Sequence, residues 1–149
     1  MEQQDFAARV VLAARGWIGT PDVHQASILG HGADCLGLVR GVWRELIGHE
    51  PEPLPAYTTD WSEASGREVL AQAAGRWLCP RPDHEIAPGD VLLFRIRSGA
   101  VAKHLGIVSE TGACPRFIHA YSGHGVVESP LSTPWRAKIA GVFQFPAKG

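Results

Sequence analysis

The sequence predicts an α+β fold, with helices gathered in its first half and a small antiparallel sheet in its second. Two observations carry this. Before residue 80, apolar residues recur at steps of three and four, the spacing of one helical face. After residue 80, short runs of strand formers are cut by glycines and turn residues, and no helix alternates with them.

The first helix is predicted over residues 5–17, where Phe6, Val10, Ala13 and Trp17 share a face. Gly19-Thr20-Pro21 ends it, and 18–33 read as an irregular loop. A second helix starts at Asp34, a good N-cap, and runs through Val39, Trp43 and Leu46/Ile47 to a stop at Gly48. Residues 49–58, with Pro51, Pro53 and Pro55, form an extended surface loop. A third helix covers 62–76, with Asp60 and Glu63 at capping-box spacing before it. Pro88-Gly89-Asp90 is a turn. Strands are predicted at 91–96, 103–109, 116–121, 125–128 and 139–145.

The 149 residues suit one domain spanning 1–149. With 45% apolar and 19% charged residues, the chain has material for a core. A formal net charge of −1 argues against broad binding to nucleic acid or an anionic membrane. No apolar run reaches membrane-spanning length. The start, Met1 to Phe6, lacks the pattern of a secretory signal. Synthesis in the cytoplasm without an export signal is the expectation.

The three cysteines, Cys35, Cys79 and Cys114, are odd in number and irregular in spacing, which argues against a disulfide framework. Cys79, near Trp77, reads as core and Cys114 as a loop residue. Cys35 falls in the first turn of the second helix. Backbone N–H groups there favour thiolate over thiol, as a cysteine nucleophile needs, and can stabilise an oxyanion. Fast alkylation near pH 6 is the mark of such a thiolate. Gly37 lets another segment approach closely. Read locally, Cys35 is equally a small buried apolar residue.

The strands shift that balance. His104, Gly106 and Val108 share one strand face, and Phe117 and His119 share a face of the next. If these strands pair, the two histidines lie side by side, a base with an orienting partner. Taken singly, each histidine is an ordinary polar strand residue. His24, His31, His49, His84 and His124 mostly fall in loops. His31 lies four residues before Cys35, but no Cys-x-x-Cys or His-Glu-x-x-His occurs, so no metal or other cofactor is expected. Phosphate-binding glycine loops and Gly-x-Ser-x-Gly are also absent.

Four segments in order resemble the NlpC/P60 cysteine peptidases: Asp34-Cys35-Leu36-Gly37-Leu38-Val39, Pro88 to Phe94, His104 to Val108 and Phe117 to Ala120. Trp17 to Pro21, His24 to Ser27, Leu38 to Arg44 and Trp135-Arg136 through Phe145-Pro146 resemble a branch encoded among phage tail genes, including those of gene transfer agents. The resemblance implies a papain-like α+β fold and cleavage of peptidoglycan stem peptides, typically between D-glutamate and diaminopimelate. It implies local wall opening during DNA delivery, partnership with tail or hub proteins, and action in the recipient's periplasm. Residue by residue, it makes Cys35 the nucleophile, His104 the base and His119 the orienter, and assigns Asp34 and Asp22 to substrate binding.

Two positions depart from the family pattern. Leu36 replaces the usual serine after the nucleophile, and Asp22 stands where a tyrosine often follows Gly-Thr-Pro. They motivate two alternatives: a tail structural or plug protein without catalysis, and an amidase or acyl transferase on the same scaffold.

Overall fold

The computed structural model describes residues 2–51, 68–81 and 85–146. Four helices and eight strands are described there. In chain order they are α1 (Glu2–Arg15), β1 (Ser27–Ile28), β2 (Gly32–Ala33), α2 (Cys35–Leu46), α3 (Val69–Trp77), β3 (Cys79–Pro80), β4 (Val91–Phe94), β5 (His104–Glu110), β6 (Arg116–Tyr121), β7 (Gly125–Pro130), α4 (Thr133–Ala137) and β8 (Ile139–Gln144). The main sheet has order β3-β8-β4-β5-β6-β7, with every pair antiparallel. This is the α+β arrangement that the sequence predicts.

The sheet is buried on both faces. On the helix side Val91, Leu93, Leu105, Ile107, Ile118 and Ala120 pack with Val10, Trp17, Leu38, Val42 and Trp43. On the other side Leu92, Phe94, Val108, Phe117, Leu131 and Val142 form a second cluster, against which Trp135 of α4 packs. Strand β4 is therefore an unbroken apolar run, as burial on both faces requires. Its entry turn is pinned by Asp90, whose Oδ2 accepts from Arg81 Nε at 2.7 Å and from Ala87 N at 2.8 Å.

Helix α2 is set by small residues at two crossings. A Cβ at Gly41 would sit 2.0 Å from the Trp17 ring. A Cβ at Gly37 would sit 1.9 Å from the Ala26 carbonyl oxygen, so only glycine admits that loop. The helix ends at Leu46, with Gly48 at φ 132° just beyond.

Several expectations need correction. The 18–33 loop carries the β1–β2 ladder, and Asp22 bridges to Ala33. Cys79 is exposed, because β3 is a two-residue edge strand. It does not share the burial of Trp77, which ends α3 and meets Trp43 at 5.4 Å between ring centroids. Helix α4 was not predicted, and β7 runs two residues past the expected end at Glu128. The third helix is described from Val69. Its predicted start at 62 and the Asp60/Glu63 cap lie outside the described residues, as does His84.

Candidate active site

Asp34 caps α2 as expected: its Oδ1 accepts from Gly37 N at 2.8 Å. Its Oδ2 accepts from Gln25 N at 2.7 Å, with the His24 ring 3.8 Å away. Gln25 stands at φ 65°, an unusual conformation for a residue other than glycine. One carboxylate thus holds both the helix start and the loop beside it. Cys35 follows at the first helical position, only 8% exposed, with Sγ 4.0 Å from the Lys103 carbonyl oxygen.

Strands β5 and β6 supply the histidines. Ile107 pairs with Ile118 and Val108 with Phe117. Continuing that register sets Gly106 against His119, so His104 and His119 are diagonal rather than directly opposite. Diagonal neighbours are within reach of ring side chains. His104 Nε2 lies 2.7 Å from His119 Nδ1, and His119 Nε2 lies 2.9 Å from Ser129 Oγ on β7. Gly106 makes room for this: a Cβ there would lie 2.7 Å from the Phe117 ring, whose centroid is 4.2 Å from that of His119 at an interplanar angle of 32°. Trp135 covers both imidazoles, with centroids 5.6 Å from His104 and 5.3 Å from His119.

Cys35, His104, Asp22 and Asp34 line one cavity of about 570 Å³. His119, the fifth residue singled out in the sequence, stands behind His104 rather than in the lining. The other lining residues include His24, Lys103, Tyr121, Trp135 and Lys138. The lining thus combines two carboxylates, two ammonium groups and apolar rings. Among the described residues no cluster of three or more His, Cys, Asp or Glu side chains is arranged to hold a metal ion.

The protonation of the site departs from expectation. Burial pushes the Cys35 thiol up to about 12, and neighbouring Asp34 adds to the rise. The Leu105 and Leu36 backbone N–H groups lower it, but less than burial raises it. The helix N-terminus is therefore outweighed by desolvation and by its own capping carboxylate. Burial likewise depresses His104 to about 4 and, with His104 nearby, His119 to about 3. Taken singly, each group is held neutral near pH 7, the thiol by its raised value and the two imidazoles by their depressed ones. Asp22 is raised by desolvation and by Asp34.

Sequence reasoning missed Ser129 and Trp135 as site residues. Ser129 fell beyond the predicted end of its strand. Trp135 was noted only as part of a resembling segment, because a five-residue helix leaves little periodicity to read.

A cysteine at a helix N-terminus thus stands against an antiparallel sheet that bears two hydrogen-bonded histidines. Solved structures place it further. A lipoprotein-like NLP/P60 family protein from Staphylococcus aureus matches with TM-score 0.62 at 22% identity, over 95% of this chain and 41% of that one. A NlpC/P60 family protein from Bacillus cereus matches with TM-score 0.62 at 17% identity, over 93% and 40%. A γ-DL-glutamyl hydrolase of Bacillus subtilis is 32% identical over 137 residues, 91% of this chain and 29% of that protein. The chain thus spans under a third of that relative's length. No family model matches. The chain has the fold of these NlpC/P60 family proteins.

Proposed function

We propose that this chain is a cysteine hydrolase that cleaves γ-glutamyl amide bonds in bacterial cell-wall stem peptides, with Cys35 as nucleophile and His104 as base. The observation that carries the reading is the shared cavity of Cys35 and His104, with His104 Nε2 tied to His119. That tie leaves Nδ1 as the ring nitrogen for the thiol proton.

In the proposed reaction Cys35 Sγ attacks the amide carbonyl carbon as its proton passes to His104 Nδ1. Burial penalises a lone thiolate or a lone imidazolium, but the pair formed by one transfer has no net charge. His104 then gives the proton to the leaving nitrogen as the C–N bond breaks. Water attacks the thioester, His104 takes its proton, and the acid leaves as the thiol is restored. The mixed charges of Asp22, Asp34, Lys103 and Lys138 suit a zwitterionic peptide carrying amines and carboxylates.

The setting we propose is a phage-like tail particle that carries this single domain into the recipient's periplasm and opens the wall for DNA delivery. It rests on the resembling segments Trp17 to Pro21, His24 to Ser27, Leu38 to Arg44 and Trp135 through Pro146 alone, and proteomics of purified particles tests it. The second reading, a structural plug on this fold, draws on Leu36, Asp22 and the raised Cys35 thiol. One experiment separates the two. Purified peptidoglycan is incubated with wild type and Cys35→Ala, and released peptides are read by mass spectrometry. Release by wild type alone supports the hydrolase and identifies the bond. Equal release by both removes Cys35 as nucleophile, and release by neither favours the plug.

A further inference from the structure

We infer that Ser129 is a positioning residue: through His119 it keeps populated the tautomer in which His104 can accept the Cys35 proton. The inference rests on the catalytic reading above, but it makes a claim about hydrogen positions that needs no turnover to test.

A neutral imidazole carries one N–H, so its two nitrogens always play opposite parts. His104 Nε2 and His119 Nδ1 are 2.7 Å apart, which leaves room for one hydrogen between them. His119 Nε2 and Ser129 Oγ, at 2.9 Å, share one more. Only two arrangements satisfy both contacts. In the first, His104 Nε2–H donates to His119 Nδ1, and His119 Nε2–H donates to Ser129 Oγ. His104 Nδ1 then bears a lone pair and is able to take a proton from sulfur. In the second, every hydrogen is reversed: Ser129 donates to His119 Nε2, His119 Nδ1–H donates to His104 Nε2, and His104 carries its hydrogen on Nδ1. A base in that state points a donor where it needs an acceptor.

The two rings cannot choose between these states alone, because the contact between them works equally in either direction. Without a group at the far end, an unpaired buried N–H weighs against the productive state more than an unpaired lone pair weighs against the other. His119 is 1% exposed, so water does not substitute for a missing partner there. The Ser129 hydroxyl can donate or accept, so it admits either state, and by accepting it removes that penalty from the productive one. Strand pairing delivers it: Phe117 lies opposite Ser129 and His119 opposite Val127, so Ser129 and His119 are diagonal neighbours across β6 and β7. Without the hydroxyl, the productive arrangement leaves a buried N–H unpaired, and its population falls.

The test is nitrogen NMR of ¹⁵N-histidine-labelled protein near neutral pH, where two-bond correlations report which ring nitrogen bears hydrogen. In wild type, both His104 and His119 are expected as Nε2–H tautomers. In Ser129→Ala, His119 shifts toward Nδ1–H, and kcat on a stem peptide falls roughly tenfold to a hundredfold with KM within about twofold. Ser129→Thr, which keeps the hydroxyl, restores both the tautomers and kcat. A wild-type His119 in the Nδ1–H form overturns the inference. So does a folded Ser129→Ala that keeps wild-type tautomers and kcat. The wild-type spectrum decides even if the alanine variant does not fold. Failure of the hydrolase reading shows separately, as undiminished peptide release by Cys35→Ala.

Discussion

Acidification should destabilise this protein through its two buried imidazoles before its carboxylates titrate. His104 and His119 sit near 4 and 3 in the folded chain against 6.5 when exposed, and burial is the main cause. Their folded values are depressed, so the unfolded chain binds protons first. Stability is therefore intact above about pH 7 and is lost as pH falls through 6.5. Each unit of this differential binding is worth about 1.4 kcal/mol, so descent from pH 7.5 to 5 removes about 2 kcal/mol per imidazole and about 4 kcal/mol for the pair. That is a large share of a small domain's stability of about 5–15 kcal/mol. Glu50, Glu68 and Glu128 add little in this window, because their arginine partners lower them and they stay ionised in both states down to about pH 5, whereas Asp22, raised by desolvation, acts in the opposite direction. The assay is urea unfolding at half-unit steps from pH 7.5 to 5, with His119→Asn alongside. Asparagine keeps a polar group but cannot titrate here, so its loss should be about half that of wild type. A wild type that is flat across the window, or a variant as pH-sensitive as wild type, refutes the argument.

Other outcomes follow from the same geometry. Iodoacetamide at pH 7 should label exposed Cys79 and Cys114 before buried Cys35, with Cys35 labelling rising steeply with pH; peptide mapping reads the order. Trp135→Ala should admit water to both imidazoles and move the acid limb of kcat/KM, set by His104 near pH 4, upward by about one unit or more. Gly37→Ala, whose methyl would meet the Ala26 carbonyl at 1.9 Å, should cost at least about 2 kcal/mol in urea unfolding. Asp34→Ala should cost about 1–2 kcal/mol by removing the cap, while Asp34→Asn should retain most of it.

What the sequence exposed were the features with a local cause. Asp34 as cap and Cys35 in the first turn follow from residue type and the apolar spacing behind them. The facing of His104 and His119 follows from strand alternation, because a period of two fixes the side of every residue in the run. What it concealed depends on how distant segments close on one another. Cys79 looked buried because Trp77 is near in sequence, yet one ends a helix against Trp43 and the other lies on an open sheet edge. Ser129 belongs to the site only because β7 pairs with β6, and it lies too close to Pro130 to read as strand. The thiol was misjudged for the same reason: a helix N-terminus is visible in a sequence, whereas the depth of burial around Sγ is a property of the closed fold.

On the proposed reading, the raised thiol also changes what kind of catalyst this site would be. A preformed thiolate–imidazolium pair places its charges before substrate arrives and demands surroundings that tolerate them. Here Trp135, Phe94 and Phe117 ring the histidines with apolar surface, and Asp34 lies beside the thiol. Those surroundings oppose charge at rest on either partner. A neutral thiol does not lose its proton spontaneously, so the transfer must accompany attack, when the developing oxyanion shares the cost with the helix N–H groups. The orientation of His104 then matters more than its basicity. A lone pair aimed at sulfur at the moment of attack is set by hydrogen bonding on the ring's far side. The run from His104 through His119 to Ser129 provides that setting without introducing a charge, so it functions in the same apolar surroundings that keep the thiol protonated.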